Sequence, residues 1–154
     1  MVEVTASTTV PASPEQVWEL TCDTTRYAEW VVGTDQVTRT DGPAREGSTY
    51  NEKNTILGPW KARTSWRVTE FDPPRRQVHV SYDVPLAREF LVTMEVAPEG
   101  DGSRVTFTLG AEMKGPLGGL FAKVMRPGVA RDNRRTVEQF AELARRELGA
   151  RAPT

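Results

Sequence analysis

The chain has 154 residues, a length that suits one domain and lets roughly 70% of the unfolded surface be buried without help from metals or disulfides. Its 20 Lys and Arg nearly balance 21 Asp and Glu, so no net field draws it to nucleic acid or to an anionic membrane. Cys22 is the single cysteine, which excludes an intrachain disulfide and a multi-cysteine metal site and fits a reducing cytoplasm, the expected location.

The opening MVEVTASTTV lacks a basic leader and an apolar run of signal length, and reads as mature structure. No stretch reaches the ~18 consecutive apolar residues of a membrane span, so no membrane insertion is expected. Val2, Val4, Ala6, Thr8 and Val10 alternate with more polar residues, the period of a strand over 2–10 with one buried face. Ser13-Pro14-Glu15-Gln16 is a capping box with proline at the first helical position, and it predicts a short helix carrying Val17, Trp18 and Leu20. Asp23 can cap a second short turn ending at Tyr27 and Trp30, before Gly33 breaks the pattern.

Turn chemistry at Asp41-Gly42-Pro43, Leu57-Gly58-Pro59, Asp72-Pro73-Pro74 and Glu99 to Gly102 then divides the chain into strands. They fall near 35–41, 48–56, 60–71, 76–83, 88–97 and 103–113. Short connections between consecutive strands imply an antiparallel meander. After Gly115-Pro116-Leu117 the spacing turns helical. Pro127-Gly128 should kink a segment 117–126 away from, or separate it from, a long helix 132–148. The expected class is α+β: a seven-stranded curved antiparallel sheet wrapped around a long C-terminal helix, with two short helices between the first two strands. One domain is expected over 1–148, with a frayed tail at 149–154. A straight helix of about 25 Å cannot fill a coiled sheet along its whole length, so a gap is expected near one end.

Several segments in order resemble one family. They are V-P-A-S-P-E-Q-V-W-E-L from Val10, D-T-T-R-Y-A-E-W from Asp23, R-V-T-E-F-D-P-P-R-R from Arg67, G-D-G-S-R-V-T from Gly100 and G-P-L-G-G-L-F from Gly115. Together they resemble the polyketide cyclase/dehydrase and lipid-transport branch of the START-like (SRPBCC) superfamily, whose fold is the helix grip. The resemblance implies a hydrophobic pocket and no cofactor. The leading expectation is carriage or sequestration of a small hydrophobic, ring-containing molecule such as a polyketide, lipid or isoprenoid; the alternative is cofactor-free polyketide aromatase/cyclase or dehydratase chemistry, and an adaptor or chaperone-activator role is less favoured.

The strand 60–71 discriminates among these. Its even face carries Trp60, Ala62, Thr64, Trp66 and Val68, and ordinary alternation points this aromatic set inward. A bulge that shifts the phase would instead turn Arg63 or Ser65 and Arg67 inward. The resemblance implies that an arginine and a hydroxyl of this strand polarise a ketone in aromatase/cyclases, which makes Ser65 and Arg67 catalytic candidates. Parity adds Tyr50, Glu52, Asn54, Tyr82, Phe90 and Met94 as cavity candidates, with Trp30 from the second turn and Phe121, Met125 and Asn133 from the last helix. Glu52 is also a candidate base, since an inward carboxylate needs a partner. His79, between two valines, reads as facing solvent, and Cys22 as a packing residue. There is no GxSxG, no phosphate-binding glycine loop and no metal-ligand cluster, so no metal site is expected. Oligomeric state, ligand identity and turnover stay open at this level.

Overall fold

In the computed structural model of the chain, residues 2–148 are described; the tail 149–154 lies outside them. β1 (Val2–Val10) turns Val4 and Val10 inward and its odd residues to solvent. The capping box forms as the sequence predicts. Ser13 Oγ accepts from the Gln16 N–H at 3.2 Å, and the Gln16 side chain accepts from the Ser13 N–H at 3.1 Å, opening α1 (Pro14–Cys22). Asp23 then accepts from the Thr25 N–H and starts a single 3-10 turn that runs into α2 (Tyr27–Trp30).

Six strands follow: β2 (Thr34–Thr40), β3 (Thr49–Leu57), β4 (Trp60–Asp72), β5 (Arg76–Ser81), β6 (Ala87–Glu99) and β7 (Gly102–Met113). All neighbours are antiparallel, and the spatial order is β1-β7-β6-β5-β4-β3-β2. β1 and β2 are therefore opposite edges of one curved sheet. The segment joining them must cross the full width of the sheet, and this crossing lays Tyr27 and Trp30 over its concave face. The even face of β4 looks inward without interruption, because the bulge that shifts its register falls between Val68 and Glu70, beyond the aromatic residues.

The last helix is not divided in two. α3 is continuous from Gly118 to Glu147, with Pro127 inside it. Proline costs it one hydrogen bond, to the Lys123 carbonyl, but both residues are exposed, so water can take over that acceptor and the helix need not end. Its two halves do differ in burial. Asn133, Thr136, Val137, Phe140, Ala141 and Ala144 form one buried stripe at helical spacing, whereas the first half buries only Gly118 and Ala122. Gly118 is required at its site, since a Cβ there would meet the Met113 carbonyl oxygen at 2.6 Å.

The grip centres on Trp30, 1% exposed. Its indole stacks on Phe107 of β7 (centroids 5.3 Å) and meets Phe140 of α3 edge-on at 4.9 Å. This layer ties sheet, crossing segment and helix together, and Arg26 Nη1 adds a bridge to both carboxylate oxygens of Glu147, at 2.8 and 2.6 Å, near the end of α3.

Candidate functional site

Between the concave sheet and the first half of α3 lies a cavity of about 290 Å³. Trp30 and Phe107 line it, while Phe140 stands behind them, so the aromatic layer is its floor. The mouth is apolar as well: Leu57 and Trp60 of the β3–β4 turn, Leu86 before β6, and Phe121 of α3 line the cavity yet remain 62%, 42%, 48% and 38% exposed.

The structure gathers most of the residues singled out in the sequence. Trp30, Tyr50, Glu52, Asn54, Trp60, Thr64, Trp66, Phe90, Met94, Phe121, Met125 and Asn133 all line this cavity. Tyr82 does not. β5 ends at Ser81, and Tyr82 stands 67% exposed beyond it. Ser65 and Arg67, offered as catalytic, lie on the opposite face of β4 and are exposed. There Ser65 Oγ accepts from Asn51 Nδ2 at 2.8 Å, and its N–H donates to Asp83. The phase shift that would have turned them inward occurs too far along the strand.

His79 is the main correction. It is completely buried rather than solvent-facing, and it holds the middle of a directed hydrogen-bond chain. Thr21 Oγ1 donates to the Trp18 carbonyl at 2.7 Å, so it accepts from Gln77 Nε2 at 2.9 Å. Gln77 Oε1 therefore faces His79 and accepts from Nε2–H at 2.7 Å, which leaves Nδ1 to accept from the Tyr50 hydroxyl at 2.6 Å. Burial drives the imidazole pKa down to about 3, so the ring is neutral. The Tyr50 phenol on the cavity wall is thereby fixed, and burial raises its own pKa. Cys22 joins as a weak acceptor from Gln77 at 3.6 Å; burial lifts its thiol to about 11, far from a nucleophile's range.

Glu52 is a carboxyl buried in the cavity wall. It is 4% exposed and accepts from Thr34 Oγ1 at 3.2 Å and from Asn54 Nδ2 at 3.3 Å. Burial raises its pKa to about 7, with the hydrogen bonds opposing. The orientation of Asn54 follows from Trp66. The indole can only donate, so Thr64 Oγ1 accepts from it at 2.8 Å and gives its own proton to Asn54 Oδ1 at 2.6 Å. The amide NH2 is left facing the carboxyl. Elsewhere on the wall, Asn133 Nδ2 donates to the Phe107 carbonyl at 2.9 Å. Its Oδ1 and the Trp30 indole N–H have no partner among the described residues. Among those residues, too, no three His, Cys, Asp or Glu side chains come together in a way that would hold a metal ion, and no helix is long and apolar enough to cross a membrane.

Sequence reasoning missed Tyr27, Thr34 and Phe107 as wall residues. The first sits three before Trp30 on one turn. Phe107 pairs with Met94 in register, a relation the alternation of both strands already contained.

A curved sheet holding a helix over an apolar cavity with one polar corner defines a helix-grip protein of the START-like class. The family profile described as "Polyketide cyclase / dehydrase and lipid transport" matches residues 1–145, and the chain belongs to that family. Two proteins of Mycobacterium tuberculosis are similar to it. "Uncharacterized protein Rv1546" is 30% identical, over 93% of this chain and 99% of its own. "Toxin Rv0910" is 28% identical, over 92% and 99%. Among solved structures, the di-domain ARO/CYC StfQ from the steffimycin biosynthetic pathway superposes with a TM-score of 0.76 at 10% identity, covering 94% of this chain and 51% of that one.

Proposed function

We propose that the protein binds a small hydrophobic, ring-containing molecule in this cavity, for carriage or sequestration. The observation that supports it best is the wall itself: aromatic and aliphatic side chains enclose about 290 Å³ behind an apolar mouth. The polar wall groups are mostly hydrogen-bonded to one another, an arrangement suited to holding a ligand rather than turning it over. The family's breadth, from cyclases to lipid carriers, agrees with this.

A second reading is a cofactor-free cyclase or dehydratase, in which Glu52 exchanges protons with a bound poly-ketone. Its support is the carboxyl pKa near 7, the range of a working acid or base. Against it stands the outward placement of Ser65 and Arg67, which removes the hydroxyl and guanidinium that would polarise a ketone. Titration with the neutral fluorophore N-phenylnaphthylamine tests the binding reading. Val92 of β6 also lines the cavity, and saturable one-to-one binding, lost in the cavity-filling variant Val92→Phe while circular dichroism stays unchanged, is expected. No saturable binding to the wild type would contradict it.

A further inference from the structure

The Glu52 corner carries an electrostatic imbalance that the hydrophobic-ligand reading leaves unused. Both hydrogen bonds at the carboxyl have it as acceptor, and both are long, at 3.2 and 3.3 Å. The chain from Trp66 through Thr64 to Asn54 runs in one direction and ends with its donor on Glu52. Thr34 and Asn54 each offer the carboxyl a donor, yet burial outweighs them and holds its pKa up at about 7. No lysine or arginine forms an ion pair with it among the described residues. Lys53, Arg63 and Arg67, its neighbours on the strands, lie on the exposed face. Two other charged residues border the cavity, Arg126 and Asp132. Arg126 is exposed and reaches the Glu3 carbonyl; Asp132 lies beside Arg131, 46% exposed at its side chain. Among the described residues the interior thus holds one carboxyl and no counter-charge.

Aromatic rings stand beside it. Tyr50 and Trp66 pair across β3 and β4, two rungs from the Glu52–Thr64 pair and on the same face, with ring planes within 9° of parallel. Tyr27 packs edge-on against Tyr50 with centroids 5.4 Å apart. A buried carboxylate with free lone pairs next to electron-rich rings has the complementarity of an ammonium site, through charge-assisted hydrogen bonding and cation–π attraction.

We propose that the cavity takes a ligand whose apolar ring body carries a protonated amine, with the ammonium donating to Glu52 beside Tyr50 and Trp66. The inference rests on the binding reading above and narrows its ligand class. The ammonium supplies both the missing donor and the missing charge, whereas an alcohol supplies only a donor. A plain hydrocarbon supplies neither, and leaves the carboxyl as it is.

Three probes of matched shape test it: naphthylethylamine, naphthylethanol and ethylnaphthalene, each competing with N-phenylnaphthylamine at about pH 8, where Glu52 is ionised and the amine protonated. The amine should bind at least about tenfold more tightly than the alcohol, and Glu52→Gln should bring the amine down to the alcohol. Equal binding of amine and alcohol to the wild type, or an amine preference that survives in Glu52→Gln, would overturn the proposal while leaving the binding reading standing. Failure of all three probes, the hydrocarbon included, would overturn both.

Discussion

Replacing Glu52 by glutamine should change how stability depends on pH in a way that only a buried, uncompensated carboxyl explains. The folded protein holds this group at about 7 against an ordinary 4.5. Between those values the folded state keeps a proton that the unfolded chain has lost, so stability is fully present below about 4.5 and is lost as pH rises to about 7. At about 1.4 kcal/mol per pH unit, the loss comes to about 3 kcal/mol. His79 acts in the opposite sense. Its folded value of about 3 lies below the ordinary 6.5, so its contribution is present above 6.5 and is lost as pH falls toward 3. From 4.5 to 6.5 the two slopes oppose, and the wild type should be nearly flat there. Glutamine keeps an acceptor for Asn54 and offers an NH2 toward Thr34, whose hydroxyl can turn to accept. The variant should therefore keep gaining stability up to about pH 6.5, meet the wild type near pH 4.5, and exceed it by up to about 3 kcal/mol at pH 8. Urea unfolding followed by tryptophan fluorescence across this range reads the difference, in which the surface carboxylates cancel. Parallel curves for the two proteins would mean that Glu52 does not titrate differently on folding.

Three further outcomes follow from the geometry. Tyr50→Phe removes the donor to His79 Nδ1 and leaves that nitrogen buried without a partner, so urea unfolding should show a loss of about 1–3 kcal/mol. Amide hydrogen exchange should be faster over residues 118–126 of α3 than around Phe140, because the first half of the helix buries so little; equal protection would contradict that difference in anchoring. Cys22, buried and with its thiol raised to about 11, should resist a disulfide reagent at neutral pH until denaturant is added, as absorbance of the released thiolate would record.

Strand phase was legible where one face is aromatic and the other charged. Trp60 to Val68 alternates cleanly against Lys61, Arg63, Ser65 and Arg67, and the inward set follows directly. β5 defeated the same logic because it is central in the sheet and both its faces are buried. Val78 and Val80 are 4% exposed on one side, so the valines looked like the inward pair and carried Tyr82 with them. The other side holds Gln77 and His79, tolerated there only because Thr21, Cys22 and Tyr50 satisfy them, and those partners come from distant parts of the chain. Glu52 was visible as an inward acid from parity, but its lack of a counter-charge is a property of the assembled wall. Of the two outcomes that Pro127-Gly128 left open, separation does not occur: a breaker on the solvent side of a helix anchored at its far end costs one hydrogen bond and not the helix.

Native mass spectrometry of the protein purified from its source, under conditions that keep non-covalent complexes, shows whether the cavity carries a ligand. A single small, ring-containing molecule retained by the wild type and absent from the Val92→Phe variant is the predicted result. A wild type that carries nothing, and that also fails to take up N-phenylnaphthylamine when it is supplied, would contradict the account.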